Sequence, residues 1–240
     1  LLHDDVVDVA ERRRGQPAAC VVYGNAASIF AGDWLLVAAL RRIAACGYDG
    51  LLDKMLAVID EMIMAESLQL ERRGRVVADR AEYFRIVEGK TAALFRWAMI
   101  AGGRTAGLDA SCEAALERYG LHLGVAFQAV DDELDFAEGT GKDPLADLRE
   151  GKMTFPLVVA LEREPTLRAK LAALLADASP DRAELLAIAS AVKATGALAA
   201  TRALAEEHAQ RAIEALAPLP AGAARDALET VALASLERQS

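Results

Sequence analysis

Two short acidic runs carry the chemistry of this sequence. Asp4-Asp5-Val6-Val7-Asp8 is a DDxxD, and Asp131-Asp132-Glu133-Leu134-Asp135 repeats the spacing. On a helix turning about 100° per residue, the first and last aspartates of each run stand about 40° apart, with the second aspartate beside them. Three carboxylates within one turn repel one another, and a cation relieves that repulsion. Both runs are embedded in apolar sequence, Val6-Val7 in the first and the Val125–Val130 stretch before the second, rather than in a polar surface. Carboxylate-only ligation implies a hard divalent ion, Mg²⁺ before zinc. Mg²⁺ keeps waters and bridges to phosphates, so two such runs read as a clamp for a polyphosphate.

Cations stand where a phosphate needs them. Arg12-Arg13-Arg14-Gly15 follows the first run, Gly141-Lys142 and Gly151-Lys152 follow the second, and Gly89-Lys90-Thr91 lies between. This grouping suits an anionic ligand carried by metal ions and shielded by Arg and Lys. The chain as a whole is acidic, with 27 Lys and Arg against 36 Asp and Glu and a net charge of −9. That balance argues against nucleic acid as a partner, which wants a basic stripe.

The elements that must hold these residues read as helices. No proline lies between Pro17 and Pro144, and the stretch is rich in Ala, Leu and Glu. Apolar residues recur at helical spacing, as at Leu52, Met55, Leu56, Ile59 and Ile63. Breaks are expected at Gly47–Gly50, Arg73–Arg75, Gly102–Gly107 and Gly139–Gly141. Asp79 with Glu82 resembles a capping box, and Ser179-Pro180 reads as an N-cap followed by a proline at the first helical position. No strand run is evident. The fold class is therefore all-α, a single domain over 1–240 of roughly ten helices. Leu167–Leu175, Ala183–Lys193, Thr195–Leu216 and a last helix after Pro218–Gly222 complete the core without chemistry of their own. The three cysteines, Cys20, Cys46 and Cys112, show no CxxC spacing and read as reduced thiols. With acidic residues at positions 4, 5 and 8, this stretch is not expected to be a signal peptide. No apolar run approaches the roughly 18 residues of a membrane span.

At this point the residues match a family. LLHDDVVDVAERRRGQPA resembles the first aspartate-rich motif of the trans-type isoprenyl (polyprenyl) diphosphate synthases, and LGVAFQAVDDELDFAEGTGKDPLADLREGKMTFPL resembles the second. GNAASIFAGDWLL, ending at Leu36, and EGKTAALF, Glu88–Phe95, are supporting marks, and the likeness runs from Leu1 to about Leu161. The resemblance implies an isoprenoid-synthase-type bundle around a central cavity, a cytoplasmic homodimer, and Mg²⁺-dependent joining of isopentenyl diphosphate to an allylic diphosphate with release of pyrophosphate. By motif position, Asp4, Asp5 and Asp8 bind Mg²⁺ from one wall and Asp131, Asp132 and Asp135 from the other. Arg13 contacts the allylic diphosphate and Arg14 the isopentenyl diphosphate. Lys90, Thr91, Gln128, Lys142 and Lys152 line the allylic site, Lys90 and Lys142 sharing in catalysis. The compact first motif resembles medium- and long-chain bacterial enzymes of the octaprenyl type.

The family normally carries a segment before the first motif, with a Gly-Lys-x-x-Arg element and a His for isopentenyl diphosphate. This chain starts three residues before Asp4, so either that segment lies outside this sequence of the synthase domain or the protein lacks it, and the first is the expectation. A terpene cyclase replaces the second motif with an Asn/Ser/Glu set, and a non-catalytic subunit of a heteromeric synthase commonly has a degraded motif; neither change is present here. His3 reads as a packing residue as readily as a chemical one, and His122 and His208 as structural or surface residues.

Overall fold

The computed structural model describes residues 1–13, 15–137, 145–177 and 180–238. The backbone falls into two compact units, residues 1–56 and 57–240, each taken by itself below. The first holds α1 (Leu2–Val7), a two-residue ribbon of β1 (Arg12–Arg13) and β2 (Gln16–Pro17), α2 (Ala19–Tyr23), α3 (Asn25–Ala45) and the start of α4 (Leu51–Arg72). The ribbon pairs Arg12 with Pro17 and Arg13 with Gln16, antiparallel, and is too short to carry a periodic strand signal. α1 is fastened to α3 at two points. Ser28 Oγ donates to the Leu2 carbonyl at 2.9 Å. The His3 ring fills the space a side chain at Gly32 would take, and its Nε2 lies 2.9 Å from Asp33 Oδ1. His3 is thus a packing residue.

The second unit continues with α5 (Arg80–Val87), a π turn (Glu88–Ala92), α6 (Ala93–Thr105), α7 (Ala110–Leu134), α8 (Ala146–Arg149) and α9 (Phe155–Arg163). It closes with α10 (Leu167–Ala176), α11 (Arg182–Ala194), α12 (Ala197–Ala215) and α13 (Ala223–Ala234). α7 is the central helix, packed on α12 and on α6 with the π turn. Its buried face mixes large side chains such as Tyr119 with small ones, and where Ala115, Ala126 and Ala129 lie at 0% exposure neighbouring helix axes can come close. In α9 every residue from Phe155 to Leu161 is buried. Each such large side chain withdrawn from water contributes about 1.5–3 kcal/mol before entropy is counted.

Aspartate side chains cap the starts of α5, α7 and α11. The Asp79 carboxylate accepts from the Ala81 and Glu82 amides at 2.8 and 3.3 Å and starts α5 as its spacing predicts. The box is not closed, because the Glu82 carboxylate accepts from Arg72 Nε at 2.9 Å instead. α11 begins beyond the Ser179-Pro180 pair: Asp181 is its cap and forms a capping box with Glu184. Ser179 itself, like the break expected at Gly139–Gly141, lies outside the described residues. The expected break at Gly102–Gly107 comes late, since α6 runs to Thr105. Gly103 serves packing rather than termination, as a Cβ there would stand 2.7 Å from Leu116 Cδ1. All three cysteines are free thiols, as read from their spacing.

Candidate active site

In the first unit, α1 carries Asp4 and Asp5 and ends on Asp8 as its C-cap. The carboxylates do not share one outlook. Asp4 is exposed, Asp8 is half-buried, and Asp5 is turned inward at 3% exposure. Asp5 Oδ1 accepts from Arg13 Nε at 2.9 Å and from Arg13 Nη2. Cys20 Sγ lies 3.6 Å from the Asp5 and Ala10 carbonyls, tying α2 beneath the motif. Val9, directly after the motif, sits at φ +52°, a conformation a β-branched residue rarely adopts. Arg13 is thus the counter-charge of a buried aspartate. Arg14 lies outside the described residues.

The second motif closes α7. Asp132 is 1% exposed, and its carboxylate takes three hydrogen bonds from three elements. Gln128 Nε2, one turn earlier on α7, donates to Oδ1 at 2.9 Å. The Tyr83 hydroxyl of α5 and the Phe155 amide at the start of α9 donate to Oδ2 at 2.9 and 3.1 Å. The chain of bonds runs further, because Thr91 Oγ1 donates to Gln128 Oε1 at 2.8 Å. Thr91 reaches Gln128 because Gly124 lets α7 touch the π turn: a Cβ there would stand 2.5 Å from Ala92 Cα. The π turn itself bulges the helix at Lys90-Thr91, as such insertions often do at functional sites.

Asp135 is the C-cap of α7, and its Oδ1 accepts from the Ala146 and Asp147 amides at 2.9 and 3.4 Å, fixing the start of α8. Asp131 Oδ1 lies 3.1 Å from Arg238 Nη2, and the Arg238 guanidinium stands 3.9 Å from the centre of the Phe127 ring. Burial pushes the Asp132 carboxyl up to about 7 against the pull of its three donors, the Asp147 charge adding to the rise. Burial and then Asp147 raise Asp135 in the same direction.

The expected phosphate cations are held by carboxylates. Lys90 Nζ lies 2.6 Å from Glu66 Oε2 and 2.7 Å from Gln69 Oε1, both on α4. Gly89 makes this approach possible, as a Cβ there would stand 2.7 Å from Ala65 Cβ. Lys152 Nζ lies 2.6 Å from Glu150 and 3.4 Å from Asp147. Lys142 lies outside the described residues. His122 and His208 are structural: their Nδ1 atoms are 3.3 Å apart, and Phe84 stacks on His208.

The donor set suits a hard divalent cation. It is all carboxylate oxygen, Asp135 is raised by burial and by the neighbouring Asp147 charge, and its buried Oδ2 meets no hydrogen-bond donor among the described residues. Among the described residues no three His, Cys, Asp or Glu side chains are grouped so as to hold a metal ion by themselves. A hard divalent cation of this kind completes its shell with waters and phosphate oxygens.

Comparison with known proteins decides the family. The polyprenyl synthetase family model matches residues 1–192. Octaprenyl diphosphate synthase of Escherichia coli is 36% identical over 241 residues, covering 99% of this chain and 75% of that protein. The chain belongs to the polyprenyl synthetase family. The polyprenyl synthase of Caulobacter crescentus, solved with calcium and isoprenyl diphosphate, superposes with a TM-score of 0.94 at 37% identity, over 100% of this chain and 74% of that one. Decaprenyl diphosphate synthase of Rhodobacter capsulatus gives a TM-score of 0.91 at 31% identity, over 100% and 75%. This polyprenyl synthetase has the all-α isoprenoid-synthase fold and is a prenyltransferase of the chain-elongating kind. Among the described residues no single helix is long and apolar enough to cross a membrane.

Sequence reasoning named the two motifs, Lys90, Thr91 and Gln128, and missed Tyr83, Arg238, Glu66 and Gln69. Nothing local marks those four; each acts on the site only through a partner distant in the chain.

Proposed function

We propose that the enzyme condenses isopentenyl diphosphate with an allylic diphosphate and that its two acidic motifs hold Mg²⁺ against diphosphate. Asp4, Asp8, Asp131 and Asp135 are the ligating carboxylates in this reading, while Asp5 and Asp132, implied as ligands by the resemblance, are buried anchors. Mg²⁺ supplies the positive charge under which an allylic diphosphate can leave. Lys90 and Thr91, on the π turn, donate to phosphate oxygens, Lys90 exchanging Glu66 and Gln69 for the ligand. Arg13 and Lys152 add charge near their motifs, as Arg14 and Lys142 do in the family pattern. The allylic carbon–oxygen bond breaks with its electron pair going to diphosphate. The isopentenyl double bond then supplies the electrons of the new carbon–carbon bond. The neighbouring proton is lost to the released pyrophosphate.

The observation that carries this reading is the unbroken hydrogen-bond chain Thr91–Gln128–Asp132, which ties the phosphate turn to the second motif. We propose a medium- to long-chain all-trans product, supported by the octaprenyl and decaprenyl relatives. Incubating the protein with labelled isopentenyl diphosphate, several allylic primers and Mg²⁺, then sizing the products, tests both points. No elongation from any primer would overturn the reading. A homodimer is supported by the large apolar side chains that α3 exposes in the single chain, Phe30 and Trp34 both at 70%, and sedimentation tests it. The three free thiols support a cytoplasmic location.

A further inference from the structure

We infer that Tyr83 is a positioning residue for the second acidic motif: through Asp132, its hydroxyl fixes how the last turn of α7 presents Asp131 and Asp135. The inference rests on the site reading proposed above. Tyr83 belongs to α5, is 5% exposed, and sends its hydroxyl to Asp132 Oδ2 at 2.9 Å. The same oxygen accepts the Phe155 amide at 3.1 Å, and the other oxygen accepts Gln128 Nε2 at 2.9 Å. One carboxylate thus joins α5, α7 and the start of α9.

The ring that carries the hydroxyl cannot swing away. It packs edge-on against Phe84 at 5.5 Å between centroids and tilted against Phe155 at 5.2 Å. A phenol buried this deeply needs a hydrogen-bond partner, and a carboxylate buried this deeply needs donors, so each group holds the other in place. Asp131 and Asp135 lie one residue before and three after Asp132, on the same terminal turn. Any roll of that turn moves both. Partners that orient a ligand in this way typically contribute 10–100-fold to metal affinity when lost.

The test is Tyr83→Phe, which removes the hydroxyl and keeps the ring. Mg²⁺ is titrated calorimetrically into the full chain in the presence of farnesyl thiodiphosphate, a substrate analogue that ionises poorly. The expected result is an apparent Mg²⁺ affinity weakened about tenfold. Phe84→Leu, which disturbs the same packing without touching a donor, should lower the melting temperature and leave the Mg²⁺ affinity within twofold. Asp132→Asn should weaken Mg²⁺ by about the same factor as Tyr83→Phe, and the double variant by no more than the worse single, since both break one linkage. Asp131→Ala separates the two levels of the reading. If it binds Mg²⁺ and analogue as the parent does, the site assignment fails. If it abolishes binding while Tyr83→Phe stays within twofold of the parent, only the role of Tyr83 is overturned. Loss of Mg²⁺ binding by Asp132→Asn as complete as that of Asp131→Ala would make Asp132 a ligand, and would likewise overturn it.

Discussion

A single methyl group at Gly124 should cost this enzyme far more activity than stability. The Cβ of Gly124→Ala would stand 2.5 Å from Ala92 Cα and 2.7 Å from Ala92 Cβ. Carbon atoms settle at about 3.5–4 Å, so α7 and the π turn must part by about 1 Å. No rotamer change relieves the contact, because both sides are main chain or Cβ. One turn further on, Thr91 Oγ1 lies 2.8 Å from Gln128 Oε1. The same separation takes that pair to about 3.8 Å, beyond hydrogen-bond reach. Overpacking costs about 1–3 kcal/mol, and replacing a mid-helix glycine by alanine returns about 1. A net loss near 1 kcal/mol lowers the melting temperature by about 2–4 °C for a chain of this size. A displacement of about 1 Å between catalytic groups can cost on the order of 10²-fold in rate. Steady-state kinetics on labelled isopentenyl diphosphate, alongside differential scanning calorimetry, measures both. Gly102→Ala is the control, since open space surrounds that position within the same stretch of helices. It should match or exceed the parent in stability and retain its activity. Activity of Gly124→Ala within twofold of the parent, or a loss no larger than the fall in folded fraction, would refute the coupling of packing to the Thr91–Gln128 bond.

Further outcomes follow from the same contacts. Asp131→Ala should reduce turnover by about 10²–10³-fold, the scale on which electrostatic groups at developing charge act, with circular dichroism unchanged; turnover near that of the parent would remove Asp131 from the chemistry. Arg13→Ala leaves the buried Asp5 carboxylate without its counter-charge, so it should destabilise the protein by roughly 3 kcal/mol, read by urea titration, whereas an unchanged midpoint would show that Asp5 finds another partner. His208 is held neutral, its pKa pushed down to about 4 by burial, with the charges of His122 and Arg211 adding. An unfolded histidine titrates near 6.5, so between about pH 6.5 and 4 the unfolded chain takes up a proton that the folded chain refuses. Stability present above that window is lost as pH falls through it, on the order of 3 kcal/mol. The parent should therefore lose melting temperature more steeply than His208→Gln on acidification, and parallel curves would contradict this.

The acidic motifs were legible because their chemistry is local. Five residues span each one, and the spacing alone places the carboxylates on one turn. Asp79 as the start of α5 was legible for the same reason, since a cap needs only amides two and three residues away. Glycine was the ambiguous sign. Gly103 stands inside the segment where a break is expected and acts as a packing surface, because only the neighbouring helix decides whether a missing side chain ends a helix or admits another.

By itself, then, the sequence determined the helical class, the family and the two acidic turns, all of which depend on residue type at short spacing. The tertiary structure decided what each carboxylate does. Asp4 and Asp5 are neighbours in the chain, yet one is exposed and the other is sealed against Arg13. Asp131 and Asp132 are neighbours too, yet one meets Arg238 and the other meets Tyr83, 49 residues distant. Adjacent side chains on a helix point about 100° apart, so which of them faces core or solvent is set by the packing of other helices, and no local spacing records that.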